Sequence, residues 1–337
     1  MSVETLATKY RPKRFEDVVA QSSIKTILQN QINNKTFKNA YLFTGFAGTG
    51  KTTTARIFAN EINNYKGNPI EIDAASNNGV DEIRNIIEDS KKKSLSSEYK
   101  IYILDEVHLL SNSAWGAMVI LIEAPPKQTI FILCTTNPEK IPNTILSRVQ
   151  RYDFTKISNY DIELRLEYIA TSEEINVLPN VINYIARLAN GGMRDAITMF
   201  DKVLASKDLS MDNVVKILGK VDYSTMFQLA DVLESKSMSF IPLIEKLEQE
   251  GKDLRQFLEH FSQFIIDLIK YRLVKNFEFI NIPETEEYRN LMNDCFSGEF
   301  LQSILSWSLT TQADLRYSTN PKYTIEGGLM LWVLENR

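Results

Sequence analysis

The sequence predicts an α/β protein in which a parallel sheet wrapped by helices is followed by an all-helical remainder. Over residues 1–155, short apolar runs alternate with amphipathic segments, and a glycine-rich loop joins the first run to a helical pattern. After Thr155 the strand signals stop. The runs are YLFTG at 41–45, PIEID at 69–73, KIYILD at 100–105, TIFILCTT at 129–136 and RYDF at 151–154. They are nearly continuous rather than alternating, as strands covered on both faces require. Val181, Ile182, Ile185, Leu188 and Ala189, then Ala196, Ile197, Phe200, Val203 and Leu204, keep helical spacing on either side of Gly191-Gly192. They predict a small helical module reaching about residue 220. In the last block, Leu254, Phe257, Leu258, Phe261, Phe264, Ile265, Leu268 and Ile269 form one wide stripe, read as core.

A chain of 337 residues accommodates two or three domains, set here at 1–155, 156–220 and 221–337. With 44% hydrophobic and 24% charged residues it has the profile of a helix-rich globular protein, without a long low-complexity linker or internal repeat. The formal charge of −5 gives no whole-chain attraction for nucleic acid, so any DNA contact must come from locally clustered charge. Two distant cysteines, Cys134 and Cys295, fit a reducing compartment and exclude a Cys-rich zinc site. Met1 to Lys9 lacks an apolar signal core, and no stretch reaches the roughly 20 apolar residues that span a bilayer. A cytoplasmic protein without membrane contact is expected.

Gly45-Phe-Ala-Gly48-Thr49-Gly50-Lys51-Thr52 fits the phosphate-loop pattern and lies between a predicted strand and a predicted helix, the context the motif requires. Small residues let backbone N–H groups wrap phosphates, and the helix start adds its positive dipole end. Lys51 then reaches the terminal phosphates and Thr52 ligates magnesium. The partner motif is Ile101-Tyr-Ile-Leu-Asp105-Glu106-Val-His108. Ligands of open α/β sheets bind beyond the carboxyl ends of strands, which puts these acids beside the phosphates. Asp105 is assigned to the magnesium hydration shell and Glu106 to the attacking water; taken alone, such a pair would equally cap a helix. Thr135, Thr136 and Asn137 close the next strand, where a side chain would touch the γ-phosphate or the water, although a turn before Pro138 uses the same residues. Arg148 and Arg194 are candidate cations for transition-state charge, but spacing does not single them out. His108 is read as structural or coupling, because phosphoryl transfer needs positioning and electrostatics more than an imidazole. Lys91, Lys92 and Lys93, with Arg84 and Lys100, form the densest basic cluster, ordinarily a solvated helix end.

These residues resemble the bacterial DNA polymerase III clamp-loader ATPase, its gamma/tau subunit, and more distantly the small subunits of replication factor C. The resemblance spans essentially the whole chain. It rests on Lys9-Tyr10-Arg11-Pro12 with Phe15-Glu-Asp-Val18-Val19-Ala-Gln21, the phosphate loop, Glu71-Ile-Asp-Ala-Ala-Ser76, Leu104-Asp-Glu-Val-His108, Glu123-Ala-Pro-Pro126, Thr135-Thr-Asn-Pro138, Ile145-Leu-Ser-Arg148 and Met193-Arg-Asp-Ala196. It implies a RecA-like AAA+ domain, a helical lid and a helical collar. It also implies that Tyr10, Arg11, Val18 and Val19 line the adenine pocket, with Gly45, Gly48, Thr49, Gly50, Lys51, Thr52 and Thr53 around the phosphates. Thr136 matches sensor 1, Arg194 the sensor 2 arginine, and Arg148 the finger that enters a neighbouring subunit's site. The implied cofactors are ATP and Mg²⁺. The implied partners are other loader subunits in a pentameric ring, a sliding clamp and primer–template DNA, in a bacterial, bacterial-virus or plasmid replisome. Ser76, Asn77, Asn78, Gly79 and Arg84 are candidate DNA contacts, because the family holds DNA largely through helix amino ends. Two departures stand out. Asn63 to Asn68 crosses in a short turn where the bacterial subunit carries a four-cysteine zinc module, so zinc is not expected, and Val149 replaces the cysteine of the Ser-Arg-Cys motif. The rival readings are another DNA-acting AAA+ ATPase, such as a branch-migration motor or helicase loader, and a nonhydrolysing scaffold subunit.

Overall fold

A computed structural model describes residues 4–94, 96–218, 223–293 and 296–336, with the side chains of Glu278 and Asn293 excepted. Cys295 and the expected boundary at 220 and 221 lie outside the described residues. The chain forms two compact units, Met1–Ala205 and Ser206–Arg337.

The first unit is built on five strands, β1 Ala40–Gly45, β2 Ile70–Asp73, β3 Lys100–Asp105, β4 Thr129–Thr135 and β5 Gln150–Phe154, all paired in parallel in the order β2-β3-β4-β1-β5. Each coincides with a predicted run to within a residue or so. The continuous apolar character resolves into two faces, because successive side chains on a strand point to opposite sides. Tyr41, Phe43, Ile101, Ile103, Ile130 and Ile132 enter one core, while Leu42, Tyr102, Leu104, Phe131 and Leu133 enter the other. The first core is closed by α2 (Ser22–Asn34) and α3 (Lys51–Ile62), the latter through Ile57, Phe58 and Ile62. The second is closed by α4 (Val80–Ser90) and α5 (Asn112–Glu123), through Ile83, Ile86, Met118 and Leu121. A short α1 (Leu6–Lys9) precedes them, and α6 (Asn143–Leu146) links β4 to β5.

Helices α7 (Asn159–Ser172), α8 (Pro179–Leu188) and α9 (Met193–Ala205) complete this unit. Gly191-Gly192 separates α8 from α9 as the spacing predicted, and Gly191 has φ +88°. Among the described residues the second unit contains helices and no strand: α10 Met211–Leu218, α11 Tyr223–Glu234, α12 Phe240–Gln249, α13 Leu254–Val274, α14 Glu286–Asn293, α15 Gly298–Leu315 and α16 Pro321–Glu335. The predicted stripe lies on α13, where Leu254, Phe257, Leu258, Phe261, Phe264, Ile265 and Leu268 are buried and Ile269 is partly so. No described helix is long and apolar enough to cross a membrane.

The carboxyl ends of β1, β3 and β4 are neighbours, and the loop leaving β1 requires glycine. Gly45 has φ +140°, and a methyl group there would lie 2.3 Å from the Phe154 carbonyl oxygen on β5. Gly45→Ala is therefore expected to destabilise the first unit by about 2 kcal/mol or more. Hydrogen exchange of β1 and β5 peptides should accelerate, and exchange at the wild-type rate would contradict the assignment.

Candidate nucleotide site

Beyond those strand ends the chain encloses a cavity of about 360 Å³. Its floor is the start of α3. Gly48 and Gly50 take φ +72° and +98°, the left-handed region that glycine enters without steric cost, and no side chain caps the helix. The first-turn N–H groups therefore stay available to an anion, reinforced by the helix dipole. On the far side the loop abuts the start of α9: the Met193 amide donates to the Gly48 carbonyl at 3.0 Å, and a Cβ on Gly48 would lie 3.0 Å from the Gly192 Cα. This contact carries Arg194 to the cavity wall.

Lys51 is buried at 6% exposure, and its ammonium donates to the carbonyls of Gly45 (2.8 Å) and Phe46 (2.7 Å). Burial pulls its pKa below the ordinary lysine range, opposed chiefly by the charge of Glu106 and, more weakly, by Asp105. A buried cation held only by neutral loop oxygens is a group suited to a phosphate. The Thr52 hydroxyl donates to Asp105 Oδ2 at 2.7 Å, so a neutral oxygen and a carboxylate from two different elements meet at one point. That hard oxygen pair is the donor chemistry magnesium prefers when it also binds phosphate.

Glu106 follows β3 in the left-handed conformation, with φ 48°. Its Oε2 accepts from the Thr136 amide (3.1 Å) and the Thr136 hydroxyl (2.9 Å), so the residue that follows β4 is bonded to the acid pair, a partnership the sequence did not predict. Cys134, fully buried on β4, has its thiol pushed well up by desolvation and stays protonated.

At the other end of the cavity, Tyr10, Arg11, Val18 and Val19 line the wall together with Pro12. Burial lowers the Arg11 pKa, assisted by the neighbouring charges of Arg56 and Arg194. Tyr10 is tied to α7: its hydroxyl and the Lys9 ammonium both bond Glu173, its ring meets Tyr168 edge-on, and its carbonyl accepts from Arg165 at 2.8 Å.

Most of the predicted residues thus converge, with Thr49 and Thr53 also in the wall. Gly45 and Thr136 stand behind the wall and shape it through Lys51 and Glu106. Arg148 is outside the cavity, one-third exposed, bonded to the Thr144 carbonyl (2.7 Å) and paired with Glu123 (2.5 Å). Ser76 to Gly79 form the turn that enters α4, and Arg84 on that helix pairs with Asp81, all away from the cavity. Sequence reasoning missed Arg56 and Arg165. Arg56 lies one helical turn beyond Thr52 and was open to detection by that spacing, whereas nothing local marks Arg165.

This fold and cavity define a phosphate-loop nucleotide-binding protein of the AAA+ ATPase class. Residues 70–158 match a family described as DNA polymerase III, delta subunit, and residues 161–208 match the DNA polymerase III clamp loader subunit, ATPase lid domain. By sequence the chain is similar to gamma/tau clamp-loader subunits of DNA polymerase III. It is 36% identical to DNA polymerase III subunit tau of Bacillus subtilis, over 97% of this chain and 62% of that protein. It is 28% identical to DNA polymerase III subunit gamma of Buchnera aphidicola, over 98% of each. The chain spans 43% to 62% of the length of three tau and gamma/tau relatives, from B. subtilis and two Mycoplasma species. Among solved structures, the Thermotoga maritima RuvB Holliday junction branch migration motor superimposes with a TM-score of 0.51 at 17% identity, over 66% of this chain and 79% of that one. That likeness is one of fold.

Removing the buried ammonium should disable the cradle. Lys51→Ala is expected to weaken binding of a fluorescent ATP analogue by about 100-fold, the loss of one or two charge-assisted hydrogen bonds. Titration giving wild-type affinity would exclude this cavity as the phosphate site.

Proposed function

We propose that the chain is an ATP-hydrolysing subunit of a sliding-clamp loader, acting in the cytoplasm as part of a replisome. The observation that carries the proposal is the meeting of Lys51, Thr52, Asp105, Glu106 and Arg194 around one cavity while Arg148 stands outside it. The functional division is a nucleotide-binding domain over 1–155, a lid over 156–220 and an oligomerising collar over 221–337. Gamma/tau relatives support the replication role.

In this reading Lys51 and the loop amides hold the terminal phosphates, and Arg194 contributes charge from the lid. Magnesium, held by Thr52 and Asp105, supplies positive charge against the phosphate oxygens. Glu106 accepts a hydrogen bond from water and orients it in line with the γ-phosphorus; the bond to the ADP oxygen breaks as the new P–O bond forms. Arg11, Tyr10, Val18 and Val19 enclose the base. Because Arg148 does not reach its own cavity, its charge serves a neighbouring subunit's nucleotide in a ring, a pentamer by family analogy. Closing that ring on ATP opens the clamp and grips primed DNA, with Ser76 to Gly79 and Arg84 facing the phosphates; hydrolysis releases the clamp.

Two variants separate the roles. Glu106→Gln is expected to bind ATP and not turn it over. Arg148→Ala should leave nucleotide binding intact and reduce hydrolysis by the assembly about 10³-fold. Phosphate release measured with clamp and primed DNA checks both, and an Arg148→Ala monomer that loses its residual activity as fully as the assembly would refute a role between subunits. Absence of stimulation by any clamp would instead favour another DNA-acting motor, and absence of turnover a scaffold.

A further inference from the structure

The carbonyl of Tyr10 is held by an arginine 155 residues away in sequence. Tyr10 closes α1, and its carbonyl is one of the oxygens that a helix end leaves without an intrahelical partner. Arg165, from the middle of α7, satisfies it: Nη2 donates to the Tyr10 oxygen at 2.8 Å in a partly buried setting. The guanidinium carbon of Arg165 lies 5.0 Å from the centre of the Tyr168 ring, and that ring meets the Tyr10 ring edge-on at 6.3 Å. Glu173, the residue that caps α7, accepts from the Tyr10 hydroxyl. One helix and its cap thus grip Tyr10 at carbonyl, ring and hydroxyl.

The three grips are unequal. Glu173 is shared with the Lys9 ammonium, whose side chain is 50% exposed, and an ion pair so open to water does little to hold a geometry. The Arg165 bond joins a permanently charged donor to a backbone oxygen, so it fixes main chain and not a side-chain tip. The residues that follow make this matter. Pro12 locks its own φ at about −65° and confines Arg11 to extended conformations, so the two leave Tyr10 as a stiff arm. Tyr10, Arg11 and Pro12 all line the cavity, and Arg165 reaches the same wall. Where the Tyr10 oxygen is set, the arm follows.

We infer that Arg165 is a positioning residue for the nucleobase end of the cavity: its bond to the Tyr10 carbonyl sets the Tyr10–Pro12 wall against the base, and its guanidinium does not bind the phosphates. The inference rests on Tyr10, Arg11, Val18 and Val19 enclosing the base, as proposed above. Removing one positive charge weakens any polyanion to a similar degree, so the informative quantity is the preference for a ligand with a base over the bare phosphate chain. A positioning arginine governs that preference. A phosphate-binding arginine would leave it unchanged, because both ligands would lose the same contact.

The test titrates the full chain, with magnesium present, with ATP and with inorganic tripolyphosphate, which carries three linked phosphates and no nucleoside. It compares the wild type with Arg165→Ala, Arg165→Met and Arg165→Lys by calorimetry. The wild type should bind ATP the more tightly of the two. Ala and Met should lose about tenfold of that preference, the loss of one hydrogen bond from a charged donor. Lys, whose ammonium reaches nearly as far as Nη2, should recover most of it. Thermal melting identifies any variant that fails to fold; should Ala do so, Met against Lys decides alone, since both keep an unbranched stem. Equal losses in Met and Lys, or a fall in tripolyphosphate affinity as large as the fall for ATP, would each overturn the assignment. The two readings stay apart: a wild type that binds tripolyphosphate as tightly as ATP sinks the placement of the base and the inference with it, whereas a preference that survives in Arg165→Ala sinks only the role of Arg165.

Discussion

An uncapped helix start next to two carboxylates is the constraint on which the first unit depends. Four N–H groups at the amino end of α3 have no side-chain partner, and the buried Lys51 ammonium is satisfied only by loop carbonyls. Such an arrangement is costly in an empty protein and favourable around a phosphate. It survives because the loop is trapped on two sides, by β5 against Gly45 and by the start of α9 against Gly48. The sheet order serves the same end. Since β4 lies between β1 and β3, the cradle and the acids flank its carboxyl end, where Thr135 and Thr136 emerge.

Charge is distributed with comparable economy. Arg11, Arg56 and Arg194 crowd the same cavity closely enough that Arg11 has its pKa lowered, chiefly by burial, while Asp105 and Glu106 balance Lys51. The chain as a whole carries −5, so the local excess of cations is a property of the cavity and not of the surface. Arg148 obeys the opposite rule. Its guanidinium is neutralised by Glu123, the first residue of the Glu-Ala-Pro-Pro segment, and that pair must part before the arginine serves any other anion.

Much of this was legible in the linear sequence, and the reason is local. The central strands β1, β3 and β4 were readable because both faces of each are covered, so composition alone marked them, whereas the edge strands β2 and β5 expose alternate residues and keep only a short apolar run; the phosphate loop and the acid pair were readable because each is contiguous. Gly191-Gly192 marked the break between α8 and α9 for the same reason. The arginines behaved differently. Arg165 reaches Tyr10 across 155 residues of chain, a partnership without any trace in spacing, and Arg148 acquires Glu123 only through the packing of α5 and α6.

Lys9 and Tyr10 join Tyr168 and Arg165 on α7 and Glu173 just beyond its end, and the Leu6 amide donates to Asp201 on α9, whereas Val18 is buried against the sheet. The leading segment is thus stitched to the helical layer at one end and rooted in the sheet at the other. Any swing of that layer draws the segment along like a drawstring, and the aperture between Tyr10 and Val18 widens or narrows in step with it.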